Sequence, residues 1–113
     1  MSAKRKILSV IRAATGTIVS IGELEVGHAL KHFLIPQIKL LEVIEQVLLD
    51  PTKVFQESQS DDGKTFYLFY RLENRRYLVA VIKSIENQAH FVTLYPTGTK
   101  IKAKHMRMKR IKV

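Results

Sequence analysis

The sequence predicts an α+β fold, with N-terminal helices packed on a four-stranded antiparallel β-sheet meander, and three observations predict it. Apolar side chains from Ile38 to Leu48 recur at helical spacing and stop before Asp50-Pro51. From Val54 onward the apolar period changes to two. The alternating runs are joined by short polar connections, which make sequential neighbours antiparallel and leave one sheet face under the helices and one face open.

Residues 7–14 and 17–21 are rich in β-branched side chains on either side of Ala14-Thr15-Gly16, a composition that suits a short strand or the first turns of a helix. Residues 22–26 lead into a short helix over 27–34, where Ala29, Leu30 and Phe33 recur at helical spacing. Pro36 suits the first turn of a second helix, because its missing N–H would have no partner there anyway. Ile38, Leu41, Val43, Ile44, Val47 and Leu48 form the apolar stripe of that helix, and Asp50-Pro51 ends it, since the residue before a proline is pushed out of the α region. Strands follow over 54–57, 65–72, 77–85 and 89–95. They are separated by a polar loop turning at Asp61-Asp62-Gly63 and by turns at Asn74-Arg75 and Asn87-Gln88. Pro96-Thr97-Gly98 closes the meander, and the alternation of Lys100, Ile101, Lys102, Ala103 and Lys104 is again strand-like.

The chain of 113 residues suffices for one modest core, so one domain is expected over 1–113. No apolar run approaches the roughly 20 residues of a bilayer span, and the basic start Met1 to Lys6 is not followed by the apolar stretch of a secretory signal. A cytoplasmic protein with no membrane partner is expected. The absence of cysteine excludes a disulfide framework, a thiolate metal site and cysteine nucleophiles. A formal net charge of +9 favours a polyanionic partner, RNA first. No acidic residue follows Glu86, whereas Lys100, Lys102, Lys104, Arg107, Lys109, Arg110 and Lys112 crowd the C-terminal end; the candidate nucleic-acid contacts are Lys100, Lys102, Lys104, Arg107, Lys109 and Arg110, and a solvated basic tail is the plainer reading of the same run.

His28, Lys31 and His32 stand at i, i+3 and i+4 and would share one helix face. Two imidazoles at that spacing can chelate a metal, yet no third ligand and no intervening glutamate accompany them, so no metal or cofactor is expected. One of the histidines can equally pack against the sheet. The functional reading is a phosphate-handling face: histidine exchanges protons near neutral pH, and a lysine one turn away favours an anion beside it. RNA carries its own nucleophile in the 2′-hydroxyl, so cleavage needs only a proton acceptor, a proton donor and cations at the phosphate. In the second strand Tyr67, Phe69 and Arg71 alternate with Phe66, Leu68, Tyr70 and Leu72; either set can line the open face. Thr93 and Tyr95 are expected to share a face of the last strand with Phe91. Arg75 and Arg76 sit at a turn, where a solvated surface is the default. Gly16, Gly22 and Gly27 are too irregularly spaced for a phosphate-cradling or dinucleotide loop.

The order of these landmarks, His-x-x-Lys-His, a helix ending in Asp-Pro, then strands closing on Phe91-Val92-Thr93-Leu94-Tyr95-Pro96-Thr97, resembles the small phage and toxin nucleases of the barnase–EndoU–colicin–RelE superfamily. The likeness covers residues 25–97, leaving 1–24 unassigned and 98–113 as a basic strand or tail. It implies a barnase/RelE-like sheet whose open face cleaves RNA without metal, with His28, Lys31 and His32 on the helix and Thr93 and Tyr95 on the final strand as site residues. Arg71 joins them by face alternation alone. The strands depart from the pattern in lacking a well-placed glutamate base, since Glu73 and Glu86 stand at strand ends; the base is left between the histidines and a deprotonated hydroxyl. The expected function is a metal-independent ribonuclease, phage-derived or toxin-like, with an acidic antitoxin or immunity protein as a further partner. The alternatives are a non-catalytic RNA- or DNA-binding module and a basic interaction protein for an acidic partner.

Overall fold

A computed structural model describes residues 6–57, 63–86, 88–98 and 108–112. The chain opens not with helices but with a β-hairpin, β1 (Ile7–Arg12) and β2 (Ile18–Gly22), followed by α1 (Glu23–Ala29), a 3₁₀ turn (Leu30–His32) and α2 (Gln37–Leu49). The strands β3 (Lys53–Gln56), β4 (Lys64–Glu73), β5 (Arg76–Ile85), β6 (Gln88–Thr97) and β7 (Lys109–Ile111) complete it. All seven join in one sheet of order β1-β2-β6-β5-β4-β3-β7. The expected N-terminal helices on a four-stranded antiparallel meander are therefore corrected to a mainly β fold, a seven-stranded mixed sheet with two short helices.

The physical reason lies in the first segment. Gly16 at φ +86° turns the chain so that the β-branched runs pair antiparallel, Ile11 with Val19 and Val10 with Ser20. β2 then docks on β6 in parallel, Val19 with Ala89 and Ser20 with His90. The hairpin is fastened to α2 as well: Ser9 Oγ donates to Glu45 Oε2 at 2.7 Å, and the Ala14 N–H donates to the Leu48 carbonyl at 2.8 Å, one of the acceptors a helix end leaves unused. At the other edge β7 pairs with β3, Ile111 opposite Val54. The β4–β5 turn holds Asn74 and Arg75 at φ 47° and 69°, the left-handed pair that suits the twist of a two-residue hairpin.

The helices cover one sheet face. Val26, Ala29, Leu40, Ile44, Val47 and Leu48 pack against Val19, Ile21, Phe69, Ala80, Phe91 and Leu94 in the main core. The opposite face is not bare. Leu68, Tyr70, Tyr77 and Val79 form a second buried cluster, with Phe55, Val81, Tyr95 and Met108 against it. Tyr70 is 1% exposed and meets Phe55 and Tyr77 edge-to-face, at 5.6 and 5.7 Å between ring centroids. No helix among the described residues is long and apolar enough to cross a membrane.

A candidate acid–base pocket beside α1

β2 ends at Gly22 while β6 runs on to Thr97, and α1 follows Gly22 without a loop. The helix therefore packs along the part of β6 that β2 leaves unpaired. Val26 and Ala29 go into the main core, and Glu25, about 100° around the helix from Val26, falls at the margin of that core. It is 9% exposed and lines a pocket of about 370 Å³ with Lys83, Ile85, His90, Phe91 and Val92.

The sheet supplies the other polar groups. Lys83 and His90 are direct cross-strand partners on β5 and β6, and His90 also stands opposite Ser20 of β2. Lys83 lies two residues beyond Val81, which packs on the second cluster, so Lys83 and His90 belong to the face away from the helices. His90 Nδ1 is buried without a hydrogen-bond partner. Leaving such an atom unsatisfied costs about 1–3 kcal/mol, which makes it a natural contact for a bound polar group. An acidic, a basic and an imidazole residue thus line one cleft.

The β5–β6 register skips a residue between Val81–Thr93 and Ile82–Phe91, a bulge at Val92. Bulges re-aim the side chains that follow them. Phe91 consequently faces the helices, whereas Thr93, opposite Val81, and Tyr95, opposite Val79, face the other way. Thr93 and Tyr95 do share a face, but Phe91 is not on it. Tyr95 packs on the second cluster, and burial pushes its phenol above the ordinary tyrosine range, so it holds its proton at neutral pH and does not serve as the base.

Arg71 lies elsewhere. It is paired with Leu78, on the helix side, five residues along β5 from the level of Lys83, or about 17 Å. Its Nη1 donates to the Asp50 carbonyl at 2.6 Å and to Asp50 Oδ2 at 2.8 Å, and its Nε donates to Glu73 Oε1 at 3.0 Å. These bonds, Asp50 first, raise its already high pKa and commit the guanidinium to the end of α2. His28 is exposed one turn after Glu25 on α1. The α-helix stops at Ala29, so the i, i+3, i+4 row expected for His28, Lys31 and His32 is broken by the 3₁₀ turn that carries the last two, both exposed. None of the three lines the pocket. Of the basic C-terminal candidates, Lys109 and Arg110 stand on β7, Lys109 opposite Gln56 and Arg110 opposite Phe55; Lys100, Lys102, Lys104 and Arg107 lie outside the described residues.

Nothing in the sequence distinguishes Glu25, Lys83 and His90 as site residues. Glu25 reads as one of two first-turn acids of a short helix, and Lys83 and His90 are single polar residues in strands that pair only through the meander. Ile85 pairs with Gln88, which sets Lys83 opposite His90, whereas a turn at Asn87-Gln88, as the sequence suggests, would set Lys83 opposite Val92. No protein-family model, no curated protein and no solved structure matches this chain.

Proposed function

We propose that the protein is a metal-independent ribonuclease, cytoplasmic and phage-derived or toxin-like, that cleaves RNA at the pocket lined by Glu25, Lys83 and His90, at the margin of the sheet beside α1. The observation that carries this reading is the presence of Glu25, Lys83 and His90 in the lining of one pocket in a chain of net charge +9. Glu25 takes the proton of the 2′-hydroxyl as its oxygen forms a bond to phosphorus. The bond from phosphorus to the 5′-oxygen breaks, and the imidazolium of His90 gives that oxygen a proton. Lys83 balances the charge gathering on the non-bridging oxygens. The products are a 2′,3′-cyclic phosphate and a 5′-hydroxyl, and proton exchange with water resets both groups. No cofactor enters the scheme. His28, exposed one turn after Glu25 on α1, would contact the substrate's flanking groups. An acidic antitoxin or immunity protein is the partner whose charge would suit this basic surface.

Incubation with RNA in a chelator, with analysis of the ends, tests the reading. Cyclic phosphate ends are expected, with cleavage falling about 10²–10⁴-fold in Glu25→Gln and His90→Ala while RNA binding is retained. Lys83→Ala should fall about 10²–10³-fold. Absence of cyclic ends, or loss of cleavage in His28→Ala with His90→Ala unaffected, would sink the assignment. A second reading, a non-catalytic nucleic-acid-binding module, is favoured by the cations of β3 and β7 that have no carboxylate partner among the described residues; it requires salt-sensitive RNA binding with no cleavage by the wild type.

A further inference from the structure

At the opposite edge of the sheet three cations share the face that carries Lys83 and His90. Lys53 opens β3 opposite Tyr70, a member of the second cluster, and its ammonium lies 5.9 Å from the centroid of the Tyr77 ring. Arg110 stands on β7 opposite Phe55, which packs on the same cluster. Ile111 pairs with Val54, so continuing that register brings Lys112 opposite Lys53. Like charges directly across a strand pair repel. Lys6, Lys39 and Arg71 each have a carboxylate at 2.8–3.5 Å, but among the described residues none of Lys53, Arg110 and Lys112 does. With Thr52 and Ile111 the three line a pocket of about 430 Å³, larger than the cleft beside α1.

Uncompensated cations held on two paired strands around a pocket form a site that gains from an anion, because one bound phosphate replaces mutual repulsion with charge-assisted hydrogen bonds. We propose that Lys53, Arg110 and Lys112 form a phosphate subsite that grips the backbone of a bound nucleic acid away from the reacting phosphate. The inference rests on the reading that the ligand is a polynucleotide, and it adds where the strand runs. Arg110 on β7 is three strand spacings of about 4.8 Å from β5, about 14 Å, and Lys53 on β3 is two spacings across and four residues along from Lys83, so the subsite stands clear of the Lys83–His90 pair, and one strand crossing the face reaches both. This subsite sets affinity and not the chemical step.

The test uses a fluorescent 2′-O-methyl oligoribonucleotide, which binds but cannot be cleaved, titrated over a range of salt. Lys53→Ala/Arg110→Ala/Lys112→Ala is expected to bind about tenfold or more weakly and to lower the salt slope by about 0.7 for each phosphate contact given up. The control Arg75→Ala/Arg76→Ala removes two exposed cations from the β4–β5 turn and is expected to lose less than threefold. Lys53→Arg/Lys112→Arg, which keeps the charge, should bind as the wild type does and exclude a folding defect. Unchanged affinity and slope in the triple variant overturns the subsite, as does an equal loss in the turn control, which would mean that net charge alone is read. Pocket-dependent binding with no cleavage of ordinary RNA upholds the subsite and overturns the ribonuclease reading. Normal cleavage by a triple variant of unchanged affinity does the reverse.

Discussion

Arg71 and the buried tyrosines show how the tertiary setting decides what a side chain does. Arg71 would suit a phosphate by type, but its three bonds to Asp50 and Glu73 close the C-terminal end of α2. Arg71→Ala should therefore cost about 1 kcal/mol in denaturant unfolding, the upper end for a partly exposed ion pair, and leave RNA cleavage unchanged. A cleavage defect at unchanged stability would return Arg71 to the site. Burial raises the Tyr70 phenol far above the usual range, with Tyr95 adding a smaller push, and burial raises Tyr95 too. Both folded values exceed the unfolded value of about 10, so the stability gained by keeping these phenols neutral is fully present below that pH and is lost as pH rises through the folded values. Unfolding followed by circular dichroism should show stability falling above about pH 10, with a flatter profile in Tyr70→Phe. An identical profile in that variant would place the titrating group elsewhere. In the sequence His90 is one polar residue of a strand, because its partial burial and the buried, unpartnered Nδ1 are properties of the fold around it.

Elements governed by local rules were legible, and those that depend on distant pairing were not. α2 follows from its apolar stripe, since Leu40, Ile44, Val47 and Leu48 are buried at the spacing the sequence shows, and Asp50 caps its end before Pro51. Pro36 sits one position earlier than expected, at the cap instead of inside the first turn. β4 and β5 follow from their alternation and from the turn at Asn74-Arg75. The first hairpin is ambiguous in sequence between strand and helix because each of its runs is short, and its pairing, with an irregular register between Ile7 and Ser9, is set only in the fold. Gly16 is the residue that settles it. A Cβ added at Gly16 would meet nothing within 4 Å, so Gly16→Ala should cost about 1–2 kcal/mol in unfolding experiments purely through its left-handed backbone. A smaller cost would mean that the turn relaxes to another conformation. The short helix after β2 starts four residues before the expected position and ends in a 3₁₀ turn, and that shift exchanges a row of histidines for a buried glutamate.

At the scale of the whole molecule, the hairpin and β7 extend the meander at both edges. Val19 and Ile21 of β2 are fully buried, and β2 covers the edge of β6 that would otherwise stay open. A fragment limited to residues 25–97 is therefore expected not to fold, with circular dichroism and one-dimensional NMR showing a disordered chain; a cooperative melt from that fragment would mean the hairpin is an accessory. The sequence by itself determined the basic charge, the α2 stripe and the alternation of the central strands, because these depend on composition and on neighbours within a few residues. Only the tertiary structure decided the parallel docking of β2, the pairing of β7 with β3, the side on which Thr93 and Arg71 fall, and the meeting of Glu25 with Lys83 and His90. Each of those depends on register across strands far apart in the chain, and a single bulged residue such as Val92 is enough to change it.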